Sequence, residues 1–403
     1  MPTSPGVVAD PAPRSAPVLP LRARRFTLDG DERLEGHIAK LCAMALRGVQ
    51  RIVPGHRLQA VWLGGGYGRG EGGVLRLPGG DWPYNDLEFY VCLRGNRFLN
   101  RRLFGPPLHA LAETLGPGAG LDIEFQIISL AQLRHSKPSM FYYDLVAGHR
   151  QLAGPERLLE TCSRHSDSRC LPLAEATRLL LNRGTGLVLA RQRLSRNPLR
   201  ADDADFIGRN IAKAQLALGD AVLTVFGRYH WSCLERHRRL LALLQGAAQP
   251  WFQELRDHHA AGLEFKLHPR QSLPDAEALS SDYQRVADFT LPIWLWVESR
   301  RLGKEFRSAR EYVASPVDKW PETSAWRNRL LNARVHGPAA LFFRRSNRHP
   351  RERVLNALTM LLWDGEKLEN RLPAALRSGS PTPDPRWACD LVARYRTLWE
   401  QVR

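Results

Sequence analysis

"VWLGGGYGRGEGGVLRLPGGDWPYNDLEFYVCL", Val61 to Leu93, decides the fold. An apolar run breaks into the glycines Gly64 to Gly66. The chain then resumes as "DLEFYVCL", Asp86 to Leu93, with carboxylates at Asp86 and Glu88. The spacing predicts a buried strand ending in a glycine turn, then a second strand. Side chains two apart on a strand share a face, so the carboxylates of Asp86 and Glu88 can converge on a hard cation such as magnesium. Glycines at a strand end let the backbone approach an anion closely, and their N–H groups can cradle phosphate oxygens.

Around this stretch the chain reads as an α/β unit. "DERLEGHIAKLCAMALRGVQRIVP" places Leu34, Ile38, Leu41, Cys42 and Val49 at helical spacing and stops at Pro54. "LHALAETLGPGAG" predicts a helix closed near Gly116 to Gly120. "LDIEFQIISL", Leu121 to Leu130, is a third strand with Asp122, Glu124 and Gln126 on one face. Beyond about Pro155 helical periodicity takes over, with helices expected at about 173–194, within 203–230, and at 231–247, 251–262, 277–302, 323–334, 351–363 and 385–402. The expected organisation is a disordered Pro/Ala-rich tail over 1–27, a catalytic unit over 28–155 and an all-helical domain over 156–403.

The chain has 403 residues and 43% hydrophobic content, enough for a full core and two domains. No apolar run reaches the roughly 18 residues of a membrane span. The N-terminus lacks the apolar stretch of a secretory signal, and six cysteines fall without a repeating spacing, so a reduced cytoplasmic protein is expected. "CSRHSDSRC", Cys162 to Cys170, offers three zinc-type ligands around His165 but no fourth. The net charge is +17, and Arg300 to Arg353 holds 14 Lys and Arg against 5 Asp and Glu. Such a face attracts polyphosphate, RNA or acidic protein, or is a solvated surface.

"GGYGRGE", Gly65 to Glu71, followed by "NDLEFYV", Asn85 to Val91, resembles the DNA polymerase β nucleotidyltransferase superfamily. The glycine part is similar to the bacterial uridylyltransferase of nitrogen signalling. The Asp-Leu-Glu strand and "DIEFQIISLAQL" are similar to the kanamycin-type aminoglycoside nucleotidyltransferases, and "YYDLVAGHRQLAGPERLL", Tyr142 to Leu159, resembles the segment that closes such domains. The resemblance covers about residues 30 to 160 and implies an α+β fold, a small mixed sheet with helices, followed by the helical C-terminal domain. Here nineteen residues separate Gly66 from Asp86, so "GGVLRLPGGDWPY" reads as an inserted loop or hairpin.

The resemblance implies transfer of a nucleoside monophosphate from a triphosphate, ATP being the expected one, to an acceptor hydroxyl. It assigns Gly65 and Gly66 to the triphosphate, Asp86 and Glu88 to two magnesium ions, and Glu124 to metal binding or proton abstraction, with Asp122 in reserve. Arg69 is a candidate phosphate ligand steadied by Glu71. Lys213, four residues after Arg209 on one helix face, is a candidate to neutralise the triphosphate. Asn182, Arg183 and Asp220 are further candidates for the same cleft. Arg329 and His336 are similar to an Arg-x(4–6)-His ribonuclease pattern that arises readily by chance in an Arg-rich chain. The acceptor expected is a small molecule or a protein. The alternatives are template-independent addition to RNA, which the basic segment favours, and a regulator that binds nucleotide without turnover.

Overall fold

The structure is a computed structural model that describes residues 25–244, 250–342, 346–363 and 385–402. The sequence-predicted tail lies outside the described residues up to position 24. Arg25 to Thr27 are already packed: the Glu35 carboxylate accepts from the backbone N–H of Phe26 and Thr27 at 2.7 and 2.9 Å.

The first half runs α1 Glu32–Ile52, β1 Leu58–Leu63, α2 Gly65–Arg69, β2 Gly73–Leu77, β3 Gly80–Tyr84, β4 Asp86–Leu93, α3 Arg97–Ala119, β5 Asp122–Ile128, α4 Leu130–His135, α5 Met140–Ala147 and β6 Arg150–Ala153. Four strands form one mixed sheet in the order β5-β4-β1-β6, with β4 and β5 parallel and the other pairs antiparallel. The insertion between Gly66 and Asp86 contains a separate hairpin, β2–β3. Two-residue alternation along β4 sorts its faces. Leu87 and Phe89 pack into a core with Leu34, Ile38, Ala112 and Leu115 of α1 and α3. Tyr90 and Cys92 enter the opposite core, with Trp62, Leu133 and Leu145. Asp86 and Glu88 continue that second face beyond the end of its apolar packing.

Three local features differ from the sequence expectation. The glycine turn is the opening of the five-residue helix α2, with Gly65 at φ +61°. α3 begins at Arg97, well before Leu108, because Asn96 accepts from the N–H groups of Phe98 and Leu99 and the helix carries Pro106 and Pro107 within it. It ends as expected, at Gly120 in the left-handed region. β6 is a further strand, read in the sequence only as part of a closing segment.

From Ala174 onward every described element is helical: α6 Ala174–Leu194, α7 Ala201–Val225, α8 Cys233–Leu244, α9 Phe252–Leu267, α10 Ala276–Leu302, α11 Ala309–Ala314, α12 Ala325–His336, a 3-10 turn, α13 Arg351–Trp363 and α14 Pro385–Val402. They share one large apolar core centred on α6, α7, α10 and α13, with Trp294 fully buried in it. α7 and α9 touch backbone to backbone at Gly262, where a Cβ would lie 2.4 Å from the Leu216 nitrogen. Gly262→Ala is therefore expected to destabilise the protein by about 1–3 kcal/mol, read as a lower denaturant midpoint; an unchanged midpoint would contradict this contact.

Candidate functional site

A cavity of about 650 Å³ opens where the sheet meets the helical half. The sheet contributes Asp86, Glu88, Tyr90 and Glu124, α2 contributes Gly66 and Tyr67, and the helical half contributes Asn182, Arg183, Lys213, Asp220 and Lys266. The spacing of carboxylates along β4 and the parallel pairing of Glu88 with Glu124 bring three acids from adjoining strands to one wall. Asp122 pairs with Asp86 one step earlier in the ladder but lines a neighbouring groove along α3 instead. Asn85, at φ +84°, makes the bend that leads into β4.

The glycines are required by close approach as well as by backbone angle. A Cβ at Gly65 would stand 3.3 Å from a Glu88 carboxylate oxygen in a left-handed conformation, and one at Gly66 would stand 2.9 Å from the Glu71 carbonyl. The Gly64 N–H donates to the Glu88 carbonyl at 2.8 Å, pinning the start of α2 to β4. The Tyr90 hydroxyl donates to Glu88 Oε2 at 2.6 Å.

The electrostatics of the two walls oppose each other. Burial, reinforced by Glu88 and Glu124, pushes the Asp86 carboxyl up to about 6, while Lys213 and Lys266 pull the other way. Lys213 opens onto the cavity, and shielding by its walls, with Arg183 and Arg209 close by, holds its pKa below the ordinary lysine value. Burial does the same to Lys266, which comes from α9. Neither lysine makes an ion pair among the described residues. An acidic wall thus faces Lys213 and Lys266 across the cavity.

The oxygen donor set suits a hard cation, and the crowding of negative charge at Asp86 is what a bound cation would relieve. Among the described residues, no three His, Cys, Asp or Glu side chains stand close enough to form a ready-made metal cage. The three carboxylates share a wall rather than a closed shell.

One sequence expectation is corrected. Glu71 does not hold Arg69. Its carboxylate accepts from the Ser232 hydroxyl and from the Cys233 N–H at 2.9 Å, at the start of α8, while Arg69 pairs with Asp144 at 3.5 Å. Arg69 lines a smaller adjoining cavity with Gly65, Glu88 and Tyr90. Arg209 pairs with Asp205 at 3.0 Å, leaving Lys213 as the cation of that helix face at the cleft. The zinc-type cluster does not assemble either: the His165 Nε2 lies 2.7 Å from the Leu133 carbonyl, Cys162 is buried and Cys170 is exposed. Arg329 is exposed, whereas His336 is half-buried with its pKa lowered by burial and by Arg353. No described residue of the basic segment 300–353 lines the cleft.

Sequence reasoning missed Lys266, Tyr90 and Phe141. Their signal is topological, since only the packing of α9 and α5 against the sheet brings Lys266 and Phe141 to the carboxylates.

No family model matches the chain, and no curated protein matches it. Among solved structures it is similar to spectinomycin adenyltransferase AAD(9) from Enterococcus faecialis, in a complex with ATP and spectinomycin. The identity is 11%, the match covers 63% of this chain and 98% of that one, and the TM-score is 0.35. A likeness of this size carries no weight for fold or function, which rest here on the residues themselves. No helix among the described residues is long and apolar enough to cross a membrane.

Glu71 supplies a test of how the two halves are joined. Burial alone would raise its pKa, but hydrogen bonds from Ser232 and Cys233 and the nearby Arg69 outweigh that and hold it below the usual value. A lowered carboxyl contributes stability that is complete above the unfolded-state value of about 4.3 and is lost as pH falls through the folded one. Glu71→Ala is expected to cost about 1.5–3 kcal/mol at pH 7, and the difference from wild type is expected to shrink on acidification below about pH 4. A pH-independent difference in urea melts would contradict the assignment.

Proposed function

We propose that the protein is a magnesium-dependent nucleotidyltransferase that moves a nucleoside monophosphate from a triphosphate to an acceptor hydroxyl. The observation that carries this reading is the meeting, at one cavity, of Gly66 of the glycine turn, three strand carboxylates and Lys213 and Lys266, which make no ion pair among the described residues, with Gly65 lining the smaller cavity that adjoins it at Glu88. A binding site for a neutral or cationic small molecule has no use for two unpaired lysines beside an acidic wall. A triphosphate and hard cations use both.

In this reading Asp86 and Glu88, with Glu124, hold magnesium, and Tyr90 fixes the orientation of Glu88 through its hydroxyl. Bound magnesium would supply neutralisation of the triphosphate and of the leaving pyrophosphate. Lys213 and Lys266 hold the phosphates from the helical side. The backbone at Gly65 and Gly66, free of Cβ atoms, lets the phosphates lie close to the chain. Glu124, exposed at the edge of the sheet, takes the acceptor proton as the acceptor oxygen bonds to the α-phosphorus and the bond to pyrophosphate breaks. Glu124 lines both the cleft and the groove of about 1000 Å³ beside α3, so the groove is the route by which an acceptor reaches it. ATP is the expected triphosphate. A small-molecule or protein hydroxyl is preferred over RNA as acceptor, because no described residue of the basic segment lines the cleft.

The test is label transfer from each of four α-phosphate-labelled nucleoside triphosphates, with magnesium, into metabolite, RNA and protein fractions of a cell lysate. One fraction is expected to take label, and Asp86→Ala is expected to reduce transfer by roughly two to three orders of magnitude. Lys213→Ala and Lys266→Ala are each expected to weaken triphosphate binding about tenfold. Equal label with wild type and Asp86→Ala would overturn the assignment. Binding without transfer into any fraction would favour the nucleotide-binding regulator.

A further inference from the structure

We infer that a second cavity, of about 710 Å³, is a binding site for a small phosphate-bearing anion, distinct from the cleft above. It lies behind the catalytic wall. α5 sends Phe141 to the cleft and Tyr142 to this cavity, and α6 likewise sends Leu179 to the one and Arg178 to the other. Its far wall comes from α12, the start of α13 and the end of α14. This is where the basic segment 300–353, which the cleft does not use, places part of its charge.

Five cations line the cavity, Lys137, Arg178, Arg327, Arg334 and Arg351, against the two carboxylates of Glu175 and Glu322. Both carboxylates are already engaged. Glu175 pairs with Arg178 at 2.9 Å and accepts from the Met140 N–H at 2.9 Å, while Glu322 pairs with Arg301 at 2.8 Å. Lys137, Arg327 and Arg334 make no ion pair among the described residues and stand exposed at the rim. The Arg178 Nε is buried without a hydrogen-bond partner.

The inner end of the cavity is built and rigid. The Arg351 guanidinium lies over Trp320 at 4.9 Å and its Nε donates to the Val402 carbonyl at 2.8 Å. His349 is buried beside Trp320, and its Nδ1 accepts from the Arg351 N–H at 3.0 Å. Burial and the arginines 351, 327 and 178 push His349 down to about 4, so it stays neutral and adds no charge. Burial and Arg178 bring Arg351 down to about 10, against the opposing pull of Glu175 and Glu322.

Five cations less two carboxylates leave a formal surplus of three positive charges, which a diphosphate or triphosphate group matches. The volume falls in the range of small-ligand sites, roughly 300–1,000 Å³. Arginine forks on two walls suit the several oxygens of phosphate groups.

The test uses the full chain and inorganic tripolyphosphate, titrated calorimetrically at low salt in a Lys213→Gln background that weakens the catalytic cleft. Arg327→Gln/Arg334→Gln is expected to weaken binding roughly tenfold, and Lys137→Gln, on the opposite wall, is expected to weaken it as well. Arg307→Gln/Arg329→Gln removes the same charge from the same segment outside the cavity and is expected to leave binding unchanged. Equal weakening by the two double variants would reduce the effect to general surface charge and overturn the site. Binding unchanged in both would overturn it too.

Discussion

A chain of buried charges fastens the sheet to the helices, and the geometry of the cleft depends on it. Arg69 at the end of α2 pairs with Asp144 of α5, Asp144 accepts from Tyr229 at 3.2 Å, and Tyr229 accepts from Arg236 of α8 at 2.6 Å. Arg236 pairs in turn with Asp220 of α7 at 3.1 Å, where His259 of α9 also arrives. Burial pushes Asp144 up, whereas Arg236 and His259 overcome the burial of Asp220 and hold it low. Removing a single member would strand a buried charge, a far larger penalty than losing an exposed pair. Glu71 capping α8 adds a second tie in the same place. The two walls of the cleft are thereby fixed in orientation as well as in proximity.

The acid side of the cleft follows from strand periodicity. A strand that must bury Leu87 and Phe89 against α1 and α3 is obliged to present Asp86 and Glu88 on its other face. Parallel pairing with β5 then sets Glu124 beside Glu88. Glu124 lines the cleft as well as the groove beside α3, whereas Asp122, two residues back, lines the groove. The cation side has no such local origin. It comes from α7 and α9, held at backbone contact by Gly262.

Much of this was legible in the sequence because it is written in local periodicity. The three strands bearing the glycines and acids, and the long helices of the second half, follow from spacing two and spacing 3.6. What escaped has long-range causes. Glu71 looked like a partner for Arg69 because it is near in sequence, but Ser232 and Cys233 are nearer in space. Lys266 lay beyond the expected end of its helix near 262, and α9 runs on to Leu267 and brings it to the cleft. α3 begins eleven residues before Leu108, where the expected helix starts, because Asn96 caps it and the helix continues through Pro106 and Pro107. β6 is four residues long, too short for its alternation to be distinctive.

The most direct measurement is a crystal structure of the full chain with a non-hydrolysable triphosphate analogue and magnesium. The account predicts phosphates between Lys213 and Lys266 on one side and ions held by Asp86 and Glu88 on the other, with the Tyr90–Glu88 contact retained. A triphosphate seated elsewhere, with Asp86 and Glu88 holding no ion, would contradict it.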